Sequence, residues 1–271
     1  MTPCRIMGIV NVTPDSFSDG GRLLDPSAAL AHARKLIADG ADILDIGGES
    51  TRPGAEPVLE AEELARTVPL IAAIRAESGI AISIDTMKPS VARAAVHAGA
   101  TMWNDVSALT WSPDSAVVAA DLDCHVVLMH MRGEPRTMQA APCYDDVVKE
   151  VGEHLLHRAD AAVAAGVARE RIWLDPGIGF GKTMAHNLTL LRRLDELVAL
   201  GFPVLYGASR KATIARIDPS ATDPGDRLGG SIAFALAAAR AGAAAVRVHD
   251  VRETRQALAV QTAIDAEAAT P

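Results

Sequence analysis

The chain has 271 residues, of which 49% are hydrophobic, so it is long enough to bury a full core. Its formal net charge of −8 argues against a general nucleic-acid binder, although a local basic pocket is compatible with that charge. The three cysteines Cys4, Cys124 and Cys143 are far apart and odd in number, which predicts a reduced cytoplasmic protein, and we expect neither a targeting segment nor a membrane span.

Runs rich in β-branched residues alternate along the chain with segments of helical periodicity. The expected strands are residues 5–12, 42–48, 81–86, 101–106, 125–130, 172–177, 203–208 and 244–249. The expected helices lie near residues 26–38, 60–77, from 89 onwards, 113–121, 144–165, 185–200, up to 241, and 251–266. Eight strand–helix units predict an α/β fold, a TIM (β/α)8 barrel forming a single domain over residues 1–271. A doubly wound open sheet is the alternative.

Polar residues stand at the carboxyl ends of the expected strands, where a barrel carries its function. A single carboxylate or carboxamide in a buried strand is usually a structural group that has found a partner. Five or more polar residues that converge on one rim are a different matter. Four of them together offer the donors and acceptors that suit a flat polar heterocycle. These four residues are Asp85, Asn104, Asp175 and Lys211.

A second group of strand-end and loop residues favours anions. Arg52, Arg247 and His249 are cations or potential cations, and arginine matches the oxygens of phosphate or carboxylate. We therefore expect a rim in two parts, a neutral polar pocket for a heterocycle and a basic mouth for an anion. Phe17, in the loop "TPDSFSDGG", is either a packing anchor or part of a lid, and the sequence leaves both open.

The stretch "DPGIGFGKT", residues 175–183, resembles a nucleotide-binding P-loop at its end. The P-loop pattern needs a glycine at position 176, which is Pro176, and counting from Gly177 leaves one residue too few. The glycines are better explained by a tight turn at the end of a barrel strand, with Asp175 holding the ligand.

The motifs along the chain resemble those of the dihydropteroate synthase family of bacterial folate biosynthesis. The resemblance runs from "MGIVNVTPDSFSDGG" through "DIGGESTRPGA", "SIDTMKPSVARAA", "NDVSAL", "LMHMRGEPRTMQ", "LDPGIGFGKT" and "GASRK" to "VRVHDV". It implies a TIM barrel and a cytoplasmic homodimer that binds small molecules, neither nucleic acid nor membranes. The implied reaction joins p-aminobenzoate to 6-hydroxymethyl-7,8-dihydropterin diphosphate and releases diphosphate, with Mg²⁺ as cofactor and sulfonamides as inhibitors.

The resemblance also implies a role for individual residues. The implied ligands of the pterin diphosphate are Thr51, Asp85, Asn104, Asp175, Lys211, Arg247 and His249. The p-aminobenzoate side comprises Phe17, Arg52, Phe180 and Ala212, and Asn11 corresponds to the ligand of Mg²⁺. The implied catalytic residues are Asp85, Lys211, Asp15 and Arg52, acting in a dissociative substitution without an enzyme nucleophile.

One position departs from the family pattern. Ala212 follows "SRK" where the family often has a serine, whose hydroxyl can hold the carboxylate of p-aminobenzoate. We expect activity to be retained with altered affinity for p-aminobenzoate or sulfonamides. Two other functions remain open on the sequence: a pterin-dependent methyltransferase domain, and a paralogue that binds pterin without turnover.

Overall fold

The structure is a computed structural model, and it describes residues 3–13, 26–50, 56–133, 138–139 and 141–268. Within these ranges eight strands alternate with helices. The strands are β1 Arg5–Asn11, β2 Ile43–Gly47, β3 Ala81–Asp85, β4 Met102–Asp105, β5 His125–Met129, β6 Ile172–Asp175, β7 Leu205–Tyr206 and β8 Ala245–Val248. The helices are α1 Pro26–Ala38, α2 Glu60–Glu77, α3 Pro89–His97, α4 Ser115–Leu122, α5 Val147–Ala164, α6 Met184–Arg192, α7 Leu194–Val198, α8 Ala212–Ile217, α9 Leu228–Arg240 and α10 Val251–Ala268.

The strands form one parallel sheet that closes on itself. Its order is β6-β5-β4-β3-β2-β1-β8-β7, and every neighbouring pair is parallel. The two outer strands meet where Leu174 bridges to Val204 and its N–H donates to the carbonyl of Pro203 at 2.9 Å. The predicted TIM barrel is confirmed, and the alternative of an open sheet is wrong.

The inside of the barrel changes from apolar to polar along the strands. At the amino-terminal end a buried layer fills it, formed by Met7, Ile43, Met102, Val127, Trp173, Leu205 and Ala245. Because side chains alternate between the two faces of a strand, the residue two positions further on also points inward. On four strands that residue is polar: Asp45, Asn104, Asp175 and Arg247. The polar layer therefore stands on an apolar floor, at the end where TIM barrels carry their sites.

The larger apolar cluster lies between the strands and the surrounding helices. The element bounds differ from the expected ones mainly after β6. The helix expected over residues 185–200 is interrupted at Arg193, which leaves helical geometry and donates to both Asp146 and Glu196. The strand expected over residues 203–208 is regular only over Leu205–Tyr206, and an isolated bridge at Val204 precedes it. Among the described residues, no helix is long and apolar enough to cross a membrane.

Candidate active site

Arg247 lies at the centre of the polar layer and connects three strands. Its Nε donates to Oδ2 of Asp45 at 2.5 Å, and its Nη2 donates to Oδ2 of Asp85 at 2.7 Å. The same oxygen of Asp45 accepts from Nδ2 of Asn104 at 3.2 Å. The Asp45 side chain is fully buried, whereas that of Arg247 is 21% exposed. One guanidinium thus holds two carboxylates in place beneath the mouth of the barrel.

The charges of this cluster are set by burial and by each other. Burial raises the pKa of Asp85 to about 7, Arg247 opposes that rise, and the negative charge of Asp45 adds to it. Burial also acts against the charge of Arg247, but Asp45 and Asp85 outweigh it and raise the pKa of Arg247 above its ordinary value. Arg247 therefore stays charged. Asp85 titrates near neutral pH, so it can accept a hydrogen bond from a ligand or donate one.

Asp175 and Lys211 form the opposite side of the mouth. Asp175 ends β6, and its Oδ1 accepts from the N–H of Gly177 at 2.7 Å. Lys211 immediately precedes α8, and its Nζ donates to the carbonyl of Ile178. Burial raises the pKa of Asp175 and lowers that of Lys211 to about 8, and each charge opposes the shift of the other. The pair offers an acceptor and a donor to one ligand.

Two residues that face the inside of the barrel near its mouth are glycines, Gly47 and Gly207. A Cβ placed on Gly47 would lie 3.7 Å from Oδ1 of Asn11 and 3.7 Å from Oδ2 of Asp85. A Cβ on Gly207 would lie 3.6 Å from the Cβ of Arg247. These glycines leave room at the mouth and bring Asn11 and Asp85 to either side of one small space.

His249 follows β8 and is oriented by a serine after β7. The hydroxyl of Ser209 accepts from the backbone N–H of His249 at 3.2 Å and lies 3.0 Å from Nδ1 of the same imidazole. These two contacts fix the orientation of the His249 imidazole at the rim of the barrel.

The last residues of "DPGIGFGKT" have structural partners of their own. The hydroxyl of Thr183 caps α6 by accepting from the N–H of His186, whose ring accepts in return from the N–H of Thr183. Lys182 is almost completely buried, and its Nζ donates to the carbonyls of Gly177 and Phe180, each at 3.0 Å. Neither side chain is presented to a ligand, so the structure agrees with the exclusion of a P-loop.

The structure brings together five of the residues expected at the rim: Asp85, Asn104, Asp175, Lys211 and Arg247. It does not keep the heterocycle pocket and the basic mouth apart, because Arg247 is paired with Asp85. Phe180 lies beside this cluster, with its ring centroid 4.8 Å from Nζ of Lys211, and Ala212 is the first residue of α8. Four further expected residues, Asp15, Phe17, Thr51 and Arg52, lie outside the described residues.

Sequence reasoning missed Asp45 and Ser209. Asp45 lies in the run "DILDIGG", where a carboxylate inside an otherwise apolar strand was the available signal. It was overlooked because it stands two residues before the strand end rather than at it. Ser209 offered no comparable signal, since its role depends on a contact with a residue 40 positions away.

Comparisons with known proteins give a consistent result. The family model described as pterin binding enzyme matches residues 7–249. A dihydropteroate synthase of Synechocystis is 48% identical over 259 residues, covering 96% of this chain and 89% of the relative. The structure of Yersinia pestis dihydropteroate synthase with a sulfonamide drug aligns with a TM-score of 0.93 at 44% identity, covering 97% of this chain and 95% of that one. The structure of Xanthomonas albilineans dihydropteroate synthase with 4-aminobenzoic acid aligns with a TM-score of 0.92 at 50% identity, covering 100% of this chain and 95% of that one.

Proposed function

Since the chain belongs to the dihydropteroate synthase family of pterin-binding enzymes, we propose how its own residues carry out the reaction of that family. The chain is a transferase. It condenses 6-hydroxymethyl-7,8-dihydropterin diphosphate with p-aminobenzoate to give 7,8-dihydropteroate and diphosphate. The observation that carries the assignment of roles is the convergence of Asp85, Asn104, Asp175, Lys211 and Arg247 on one end of the barrel.

The polar layer receives the pterin ring. Asp175 accepts from the exocyclic amine and a ring N–H, while Asn104 has both a donor and an acceptor for the ring edge. Lys211 donates to a ring carbonyl or nitrogen, and its proximity to Asp175 favours a ligand that presents donors and acceptors side by side. Because these groups are buried and paired, a ring that lacks the matching groups leaves them unsatisfied, which gives the site its selectivity.

Arg247 joins the pterin pocket to the diphosphate. An arginine has five N–H donors, and Asp45 and Asp85 take one each. The others can bind the diphosphate, together with the contacts expected from His249 and Thr51. The arrangement explains why a guanidinium paired with two carboxylates still serves as a cation for a ligand at the rim.

The bond change is a dissociative substitution at the exocyclic methylene of the pterin. The C–O bond breaks, and its electron pair leaves with the diphosphate, which Arg247 and His249 stabilise. The electron-rich dihydropterin carries the resulting positive charge, close to the carboxylate of Asp85. The amine of p-aminobenzoate then forms the C–N bond and releases a proton. The enzyme contributes position and charge rather than a nucleophile.

The residues at the mouth fit a magnesium ion shared with the diphosphate. Mg²⁺ usually takes one or two protein oxygens, completed by water and substrate phosphate. Asn11 directs its amide oxygen into the space beside Gly47 and is the residue that would hold the ion. The described part of the chain contains no group of three or more His, Cys, Asp or Glu residues suited to a metal. When bound, the ion would offset the charge of the diphosphate.

The second substrate lies against Phe180. The Phe180 ring, next to Lys211, offers an apolar face for an aromatic amine, and the backbone N–H of Ala212 follows Lys211 directly. We assign Arg52, Phe17 and Asp15 to the same reaction from the family resemblance alone. A cytoplasmic location and a homodimer stay predictions, and light scattering coupled to gel filtration measures the second.

Replacing Lys211 by alanine tests whether the pterin diphosphate and p-aminobenzoate bind to different residues of the site. We expect Lys211→Ala to weaken the binding of the pterin diphosphate more than that of p-aminobenzoate, because the lost donor faces the ring. Isothermal titration of each substrate measures both affinities. The exposed Lys35 of α1 supplies the matched control, Lys35→Ala, which should leave both unchanged. A larger loss for p-aminobenzoate would refute the assignment of Lys211.

A further inference from the structure

The turn that follows β6 has an unusual set of hydrogen bonds. Each of its five consecutive backbone carbonyls, residues 177–181, accepts from a side chain. The donors are Lys182 to Gly177 and Phe180, Lys211 to Ile178, Gln139 to Gly179 and Tyr144 to Gly181. Connecting segments usually lie on the surface, where water can satisfy their backbone carbonyls. This one is fixed by the protein at every peptide, which is expected where the backbone has to place a neighbouring side chain accurately.

Lys182 makes two of these five contacts from beneath the turn. Its side chain is nearly fully buried, and its Nζ lies 2.8 Å from Nδ1 of His130 and 3.3 Å from the carbonyl of His130. His130 follows β5 and is itself buried, and burial lowers its imidazole pKa to about 2, so the ring is neutral and accepts through Nδ1. Lys182 therefore ties the turn after β6 to the end of β5.

The residue that this tie fixes most directly is Phe180. Its carbonyl accepts from Lys182 at 3.0 Å, and its N–H donates to the carbonyl of Gly177 at 3.1 Å, which is the other acceptor of Lys182. The amino group of Lys182 thus binds the carbonyl of Phe180 and also the carbonyl that accepts from the N–H of Phe180. Asp175 is secured differently, by its strand and by the N–H of Gly177.

From these contacts we propose that Lys182 is a positioning residue for the second substrate: it holds the Phe180 wall of the p-aminobenzoate subsite in place without touching the substrate. The inference rests on the proposed function, which places p-aminobenzoate against Phe180. It gives a role to the lysine of the "GKT" motif, and that role depends on a buried donor rather than on phosphate binding.

Kinetics with each substrate varied in turn test the inference. Lys182→Met keeps the length of the side chain and removes the donor. We expect the KM for p-aminobenzoate to rise about tenfold, because misplacing a binding group by 1 Å can cost about a hundredfold. The KM for the pterin diphosphate should stay within about twofold, because Asp175 and Asn104 have other supports. Equal changes in both KM values, or none in either, would overturn the proposal.

Two further variants guard against a purely structural effect. Lys182→Gln retains one donor group, so the KM for p-aminobenzoate should again rise more than the KM for the pterin diphosphate, but by a smaller factor. If Lys182→Met does not fold and Lys182→Gln shows no such difference between the two KM values, the inference is refuted. Leu36→Ala, in α1 on the far side of the barrel, removes a buried side chain and lowers stability. It should leave both KM values unchanged, and a split in this variant would also count against a specific role for Lys182.

Phe180→Ala separates failure of this inference from failure of the proposed function. If Phe180→Ala raises the KM for p-aminobenzoate and Lys182→Met does not, Lys182 is not the positioning residue, and the proposed subsite stands. If Phe180→Ala has no effect on that KM, the placement of p-aminobenzoate is wrong, and the role inferred for Lys182 falls with it.

Discussion

Gly177 is a position in the turn after β6 where the backbone leaves no room for a side chain, so Gly177→Ala is a demanding test of how the turn is built. Its φ of +65° lies in the left-handed region, which costs a residue other than glycine about 1–2 kcal/mol. A Cβ there would also lie 1.9 Å from the carbonyl oxygen of His130, whereas real Cβ atoms keep at least 3.0 Å. The end of β5 and the turn must therefore separate by about 1 Å.

That separation has a cost in stability and a cost in activity. Overpacking adds about 1–3 kcal/mol to the backbone penalty, so the free energy of unfolding should fall by about 2–5 kcal/mol. The displaced turn carries the N–H that supports Asp175 and the carbonyl that binds Lys182. A shift of 1 Å here should lower kcat/KM about a hundredfold, which corresponds to about 2.7 kcal/mol.

Gly201→Ala is the matched control for this experiment. Gly201 has a φ of +81°, and a Cβ there would meet only the guanidinium of Arg169, at 3.8 Å. It should lose about 1–2 kcal/mol of stability and no activity. Urea denaturation gives the two stability changes, and steady-state kinetics give the two kcat/KM values. If the two variants lose the same stability and the same activity, the close approach of Gly177 to His130 is not what shapes the site.

Three further changes test the charges and contacts of the mouth. Asp45→Ala removes the fully buried one of the two carboxylates that pair with Arg247 and should lower the free energy of unfolding by about 3 kcal/mol in urea denaturation. A loss below about 1 kcal/mol would contradict the pairing. Because burial lowers the pKa of Lys211 to about 8, its ammonium loses a proton as the pH rises through that value, so kcat/KM for the pterin diphosphate should fall above pH 8. In Lys211→Arg the fall of kcat/KM should occur at higher pH. If it occurs at the same pH as in the unmodified protein, the fall is caused by another group. Ala212→Ser adds a hydroxyl next to the p-aminobenzoate subsite. It should tighten p-aminobenzoate binding about fivefold and alter sulfonamide affinity, both measured by titration. If neither affinity changes, the subsite lies elsewhere.

Much of the architecture was predictable because it depends on local patterns. Each strand is an apolar run, and a segment of helical periodicity follows it. Eight such units leave few arrangements that bury both faces of the sheet. The convergence of Asp85, Asn104 and Asp175 follows from the same regularity, since the carboxyl ends of parallel strands meet at one rim. Residue type and strand position were sufficient to find them.

The pairing of Arg247 with Asp45 and Asp85 was not predictable in this way. These contacts join residues 202 and 162 positions apart, and they depend on the register between β8, β1, β2 and β3. The sequence showed an arginine and two carboxylates but not that they neutralise one another. It therefore suggested separate neutral and basic regions where the structure has one connected cluster.

The role of Lys182 was hidden for a related reason. A lysine in a glycine-rich stretch is normally exposed or bound to phosphate, and only the three-dimensional fold shows that its four polar contacts are three carbonyls and an imidazole. The break in the helix at Arg193 is similar, because its partner Asp146 comes from the N-terminus of α5.

The synthase reaction itself is tested by the release of diphosphate from 6-hydroxymethyl-7,8-dihydropterin diphosphate, measured with and without p-aminobenzoate. We expect release that depends on both substrates and on Mg²⁺, with 7,8-dihydropteroate formed in equal amount. We also expect Lys211→Ala and Phe180→Ala to affect different substrates. Methyl transfer from a folate, or binding of the pterin diphosphate without any p-aminobenzoate-dependent turnover, would contradict the synthase reaction.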